Sequence, residues 1–552
     1  MLKTIMLALA AWFAMAGGGG LAQAKGLAPL APVAPVAACA DLARIDLSGA
    51  TGAPTRQEAK SVTEAGAKPY CQVSGTIAPA IRFEVRLPLD GWTQRYLQTG
   101  CGGLCGNLRI DAGKAEGCAP VTDGSIVLAS TDMGHQGMDT AWGNDPQKRR
   151  DFAERGVHVT ALAAKALIKA FYGRDPRYSY FSGCSDGGRE ALIEAQRYPQ
   201  DFDGIAAGAP ALNFTIQNSF HHGWLAKVNT GADGKPVLLA ADMAPLHKAA
   251  LAACDGNDGL VDGQITDPRT CRVDPAVTLC KGAYQPGKCL TAAKVEAARL
   301  IYQGARTAQG QPLEVGPLQP GSEMNWIGVF VPMNADGPIM SGMFASDTIN
   351  HLLFTPNPAT PYTPQTFPFT LDMVAQEQPA RALYNADNPD LSGFAGRGGK
   401  LILWHGWGDP HISPINTIAY FDKVGEAMGA PTRDGFVRMF LFPGMGHCSG
   451  GDGPSEFPLL QGLMAWVESG EAPAVMVAHR AKPTHEGAPL PADGPMKPPP
   501  GATGMPKLPM MPMMPPQPTL PPRSRPVFAY PAVAHYKGTG SIDEAASFEA
   551  RP

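Results

Sequence analysis

One octapeptide, Ser182-Gly183-Cys184-Ser185-Asp186-Gly187-Gly188-Arg189, constrains this chain more than any other stretch. It holds a Gly-x-Ser-x-Gly with Ser185 at its centre. An apolar, aromatic run from Tyr178 to Phe181 precedes it, and a helical pattern from Glu190 to Arg197 follows. Strand, sharp turn and helix are the surroundings that a nucleophile elbow needs. Gly183 and Gly187 let such a turn close tightly and leave the hydroxyl exposed at a helix N-terminus, where negative charge is favoured. An ordinary glycine-rich turn would also carry such a serine, so the motif needs partners.

Two later stretches supply them. His405-Gly406-Trp407-Gly408-Asp409-Pro410 follows the apolar run Lys400 to Trp404, and Gly444-Met445-Gly446-His447-Cys448 follows Phe436 to Phe442. Ser185, Asp409 and His447 then stand in the chain order of an α/β-hydrolase triad. Cys184 precedes the candidate nucleophile, and Cys448 follows the candidate base. A bond between them would hold the two side chains together without long-range packing. It would close a long loop, contributing about 5 kcal/mol in the chain-entropy description.

With these residues in place the chain resembles the tannase and feruloyl esterase family, which also contains the hydrolase of terephthalate monoesters. The resemblance spans nearly all of the chain beyond its leader. It implies Ser185, Asp409 and His447 as catalytic residues, a Cys184–Cys448 bridge, and the pairs Cys39–Cys71, Cys254–Cys271 and Cys280–Cys289. Eleven cysteines read as a disulfide framework, and the odd count leaves at least one thiol free or paired between molecules. Of the remainder, Cys105–Cys118 with Cys101 free is the expected arrangement.

Residues 1–24 read as a secretory signal, with Lys3, the apolar run Ile5 to Ala16 and the small-x-small site Ala22-Gln23-Ala24. The expected location is secreted or periplasmic. Lys25 to Ala38, rich in Ala and Pro, reads as a flexible leader. A net charge of −4 and pI near 6.3 argue against nucleic acid or an anionic membrane as partner.

From residue 80 to 210 strands alternate with helices, which means a largely parallel sheet. The expected fold is an α/β-hydrolase, its catalytic domain formed by residues 25–212 and 399–552. A lid domain, residues 213–398, is inserted between the nucleophile and the catalytic Asp. Within the catalytic part, 487–526 forms a Pro/Met-rich low-complexity insertion. A copper role for its methionines has no nearby His to support it. Near the C-terminus Phe528 and Ala550 occupy the positions where the family often has a further disulfide.

The loop Gly100 to Gly106 is the oxyanion-hole candidate, because glycines let backbone N–H groups approach a tetrahedral oxygen. Gly103, with Gly102 as its neighbour to consider, and Asp186, the residue after the nucleophile, are the expected donors. Asp132 and His135 form an alternative dyad on paper. They precede the serine and lack a tether, so they read as braces for the loop. His221 and His222 have no partner at metal-ligand spacing and read as surface or lid-hinge residues.

Cys254-Asp255-Gly256-Asn257-Asp258-Gly259-Leu260-Val261-Asp262-Gly263-Gln264 crowds three carboxylates together. A hard divalent cation would relieve their repulsion, although the spacing is not that of an EF-hand. A solvated acidic turn is the alternative. The family resemblance implies a structural Ca²⁺ held by the side chains of Asp255, Asp258 and Asp262 and the carbonyls of Leu260 and Gln264. Trp326, Phe330, Phe344, Phe354, Tyr362, Phe367 and Phe369 offer aromatic surface for a phenolic acyl group. No Lys or Arg occurs between Arg306 and Arg381. The terephthalate-cleaving branch uses a lid Arg for the free carboxylate, so its lack favours uncharged aromatic esters.

The expected activity is therefore hydrolysis of feruloyl-type esters through an acyl-enzyme, with galloyl esters and then aromatic diacid monoesters as alternatives. A serine peptidase shares the triad order. A non-catalytic calcium-dependent binding protein would have no use for Ser185. No organic cofactor is implied.

Overall fold

The computed structural model describes residues 26–137, 140–480 and 522–552. The candidate signal and most of the Pro/Met-rich stretch lie outside the described residues. A nine-stranded sheet runs in the order β1-β2-β3-β5-β4-β6-β7-β8-β9. Its strands are β1 (Thr55–Val62), β2 (Tyr70–Ile77), β3 (Ile81–Pro88), β4 (Arg95–Thr99), β5 (Val127–Thr131), β6 (Tyr178–Cys184), β7 (Gly204–Gly208), β8 (Lys400–Gly406) and β9 (Val437–Phe442). The first three pair antiparallel, β3 pairs antiparallel with β5, and β5 to β9 run parallel in their sheet order.

Sequence pattern accounts for the difference. β1 alternates between half-buried and exposed positions, as befits an edge strand. β4 and β7 are buried throughout, because helices cover both faces there. On one face Tyr96, Phe181, Ile205, Leu401 and Met439 join the main hydrophobic cluster with the helices Gly156–Tyr172, Asp186–Arg197 and Pro414–Met428. On the other, Leu97, Tyr180, Ala206, Ile402 and Phe440 pack with the helix Leu459–Ser469. The fold is an α/β-hydrolase.

Between β7 and β8 the chain makes a long excursion without adding a strand to the main sheet. Part of it has a separate apolar cluster built on Leu246, Ile301, Trp326 and Phe330. Phe220, Ile349, Phe367 and Tyr384 instead join the main core, so the excursion is rooted in the sheet layer.

The leader departs from expectation. Val33 bridges to Trp92, Arg95 Nη2 donates to the Ala28 carbonyl (2.8 Å), and the Val36 N–H donates to the Phe171 carbonyl (2.8 Å). Its extended backbone makes no ladder of its own, so its N–H groups and carbonyls pair with the body, and residues 26–38 are docked and not a loose leader.

The cysteines correct a second expectation. Cys39–Cys71, Cys184–Cys448, Cys254–Cys271 and Cys280–Cys289 are bonded, but Cys101 pairs with Cys105. Cys118 is the buried free thiol. It packs 3.6 Å from the Met464 sulfur in the second apolar cluster, whereas the Cys101 and Cys105 Cα atoms are 5.4 Å apart across one loop. Phe528 and Ala550 sit in two separate two-stranded ribbons, paired with Val475 and Ala534.

Candidate functional site

Ser185, Asp409 and His447 stand just past the carboxyl ends of β6, β8 and β9. In open parallel sheets this is the edge where ligands bind. Ser185 adopts φ 66° and ψ −120°, a conformation rare for a residue with a side chain. Close backbone contact holds it there. A Cβ on Gly183 would lie 2.4 Å from the Gly187 carbonyl oxygen, and one on Gly188 would lie 2.3 Å from that of Gly208. The Ser185 N–H donates to Gly208, and its carbonyl accepts from Gly188, Arg189 and Ala211.

The Asp409 carboxylate is fully buried and richly bonded. His447 Nδ1 donates to Oδ2 at 2.7 Å, and His405 Nε2 donates to the same oxygen at 3.1 Å. The N–H groups of His411 and Ile412 donate to Oδ1 at 2.8 and 3.0 Å. Burial by itself would raise its pKa. The charges and hydrogen bonds of His447 and His405 outweigh that and hold it well below the usual carboxylate range. With Nδ1 donating to Asp409, His447 Nε2 is left as a proton acceptor. His447 and Ser185 line one cavity of about 240 Å³. The Cys184–Cys448 bond, with its Cα atoms 6.0 Å apart, joins the residues beside them.

Gly103 and Asp186 line the same cavity. Gly103 has φ +63°, and a Cβ there would meet nothing within 4 Å. Asp186 opens the helix, so no preceding helical carbonyl claims its N–H. Its carboxylate turns away to Arg189, whose Nε and Nη2 donate at 2.6 and 3.0 Å. Arg189 is buried against the faces of Phe152 and Phe214 and also donates to the Ala153 and Phe152 carbonyls.

Asp132 and His135 do not face this cavity. Asp132 accepts from the Arg82 and Gly134 backbones and from Arg82 Nε. His135 Nε2 lies 2.6 Å from the Leu104 carbonyl, with its ring stacked on Trp142 at 4.3 Å, so it braces the glycine loop.

The His221-His222 pair is neither on the surface nor free. His221 Nδ1 meets Glu314 Oε2 at 2.6 Å, and His222 Nδ1 meets Ser341 Oγ at 2.9 Å. Burial inside the excursion explains this, and His222 lines the cavity beside His411. Burial, then the neighbouring His221 and His411, pushes His222 well below the usual range. Burial, then His447, lowers His411 to about 3. Both are therefore neutral imidazoles at ordinary pH. His411 lies 4.7 Å from the His447 ring, centroid to centroid. Its nearness to Asp409 in sequence was the available signal, and proline at 410 gave no sign that the next side chain would turn inward.

Of the aromatic residues offered by the excursion, Phe344 lines this cavity, together with Phe214. Trp326 and Phe330 belong to the separate cluster, Phe367 and Phe369 pack on Phe220, and Phe354 faces a second cavity. Tyr362 packs edge-on against Phe367. No Lys or Arg is among the described residues lining the site.

The acidic loop curls on itself. Asp255 accepts from the N–H groups of Asp262 (3.1 Å) and Gly263 (2.9 Å), and Asp258 accepts from Leu260 (2.9 Å). Arg525 Nη2 pairs with Asp262 Oδ2, and Arg523 Nη1 lies 3.5 Å from it. Burial raises Asp262, Arg525 and Arg523 lower it, and Asp255 and Asp258 raise it further. Two cations thus face three carboxylates. The donor set is all oxygen, the kind a hard divalent ion takes, and its carboxylates are here engaged by these N–H and guanidinium donors. Cys254–Cys271 closes the loop.

A buried Asp–His pair, a serine at a strained elbow and a shared cavity define a hydrolase of the α/β class. The Tannase and feruloyl esterase family matches residues 61–550, and the chain belongs to that family of carboxylic ester hydrolases. It is 31% identical to the mono(2-hydroxyethyl) terephthalate hydrolase of Piscinibacter sakaiensis, over 89% of this chain and 87% of that one. It is 33% identical to a probable feruloyl esterase B-1 of Aspergillus flavus, over 73% and 77%. The solved feruloyl esterase B of Aspergillus oryzae matches with a TM-score of 0.71 at 25% identity, covering 90% of this chain and 95% of that one.

Proposed function

We propose that this chain is an exported serine esterase that cleaves uncharged, hydroxylated aromatic acid esters of the feruloyl type. His447 Nε2 takes the proton of Ser185 Oγ, which attacks the ester carbonyl. Asp409 holds the imidazole in the productive tautomer and stabilises its charged form. The N–H groups of Gly103 and Asp186 receive the oxyanion. The alcohol leaves with the proton from His447, and water then repeats the sequence on the acyl-enzyme. Asp255, Asp258 and Asp262, with the carbonyls of Leu260 and Gln264, would hold Ca²⁺. The ion would supply charge neutralisation to the loop and no part of the reaction. Five disulfides support export to an oxidising compartment.

The observation that carries the substrate class is the lining itself, with Phe214 and Phe344, two neutral histidines and no cation among its described residues. The likeness to the terephthalate monoester hydrolase favours a second reading, a diacid monoester. That substrate would leave its carboxylate without a counter-charge in this cavity. The test is a panel of methyl ferulate, methyl gallate and mono(2-hydroxyethyl) terephthalate. The expected order of kcat/KM follows that sequence, with Ser185→Ala lowering each about 10⁴-fold or more. Preference for the terephthalate ester would reverse the assignment, and a fully active Ser185→Ala would remove the mechanism.

A further inference from the structure

The Cys101–Cys105 bond closes a small ring whose interior is Gly102, Gly103 and Leu104. One proposed oxyanion donor thus lies inside the ring. The other, Asp186, lies against its outside, with Asp186 Oδ2 3.4 Å from Cys105 Sγ. Glu190, one helical turn beyond Asp186, puts Oε1 2.7 Å from Cys101 Sγ and 3.3 Å from Cys105 Sγ. Glu190 is buried, as is Cys105. Behind them a Cβ on Gly187 would lie 2.8 Å from the Cys101 carbonyl oxygen. The ring and the first turn of the nucleophile helix are therefore in direct contact.

Two ring residues, Gly103 and Cys105, both have φ of +63°. For Cys105 this left-handed conformation is unfavourable. An oxyanion hole works only when its donors are fixed before the charge develops.

We infer that the Cys101–Cys105 disulfide is a positioning element for the reaction, fixing the Gly103 N–H against that of Asp186 through the contact with Glu190. The inference rests on the oxyanion roles proposed above. It predicts that loss of the bond lowers kcat and leaves ground-state binding nearly intact, because the substrate carbonyl asks less of the donors than the tetrahedral oxygen does.

The experiment is steady-state kinetics of Cys101→Ser/Cys105→Ser on methyl ferulate, beside Cys280→Ser/Cys289→Ser, which removes a disulfide of the excursion. The first should lose about tenfold or more in kcat with KM within about threefold. Affinity for an aryl boronic acid, which fills the oxyanion position on Ser185, should fall in step. The second should keep its kcat. Unchanged kcat and boronate affinity in the first variant would overturn the inference, as would a loss that merely follows its unfolded fraction. So would native mass spectrometry showing a metal ion on the wild-type Cys101, Cys105, Asp186 and Glu190, whose ligand atoms lie within 4.8 Å of one another. If the double variant does not fold, graded reduction of the wild type with thiol mapping gives the same split, kcat falling with the Cys101 and Cys105 thiols or only with Cys184 and Cys448. A wild type that hydrolyses no ester and escapes a fluorophosphonate label would instead bring down the esterase mechanism, and this inference with it.

Discussion

Two loops of this protein carry the groups that matter, and different forces hold them. At the sheet edge, the Ser185 and His447 loops are joined by a covalent bond, and glycine backbones in contact hold the elbow itself. In the excursion, the Asp255–Gln264 loop is held by carboxylates meeting backbone N–H groups, Arg523 and Arg525. The first arrangement is indifferent to ions. The second depends on charge, and charge can be altered by pH or by a chelator. The neighbours of the reacting pair are tied directly to each other by a covalent bond, while the acidic loop, its ends stapled by Cys254–Cys271, takes its internal shape from electrostatics.

The contrast breaks most plainly at Cys184–Cys448. Cys184→Ser/Cys448→Ser is expected to lower stability by about 3–5 kcal/mol and to reduce kcat far more than the loss of Cys280–Cys289 does. Denaturant melts and kinetics at a temperature where both variants stay folded would measure it. Equal kinetic effects would mean that the tether holds the fold and not the reacting pair.

The next effect tests charge inside the excursion. Burial pushes Glu377 up to about 8, and the neighbouring Ser219, whose hydroxyl donates to the Thr215 carbonyl (2.8 Å), opposes this only in part. In the unfolded chain it titrates near 4.3. Between those two values the folded state binds the extra proton, so stability falls as pH rises and levels off above 8. The group's contribution to that fall is of order 5 kcal/mol. Urea melts of Glu377→Gln at pH 5, 6.5 and 8 should show this slope removed. The wild-type slope persisting in the variant would place the titration elsewhere. Asp409 behaves oppositely: its lowered pKa gives stability that is present above the unfolded value and lost as pH falls through the folded one.

The smallest effect is expected from chelation. Removing Ca²⁺ should lower Tm by about 3 °C, with kcat retained at 25 °C, and Asp258→Asn should abolish the difference between chelated and calcium-loaded protein. A loss of kcat at constant Tm would tie the loop to the reaction and erase the contrast.

Much of the fold was legible because it is written locally. The elbow shows as glycines at fixed offsets from Ser185, and the strands before Asp409 and His447 are short apolar runs with abrupt ends. The bridges other than that of the glycine loop came from family likeness, since eleven cysteines by themselves allow many pairings. The Cys101–Cys105 bond was misread because spacing says nothing about Cys118, which turns into the apolar layer beside Met464. His405 was visible in the motif around Asp409, but its second bond to that carboxylate depends on a side-chain direction. Phe344, and not Trp326, reaches the cavity because the excursion has its own core to fill.

The sequence alone determined the order of the reacting residues and the identity of the turn that exposes one of them, because those depend on neighbours in the chain. Only the tertiary structure decided which rings and imidazoles line the cavity, where the leader docks, and which cysteines meet. Those depend on distances between segments far apart in sequence, which packing sets and local pattern does not encode.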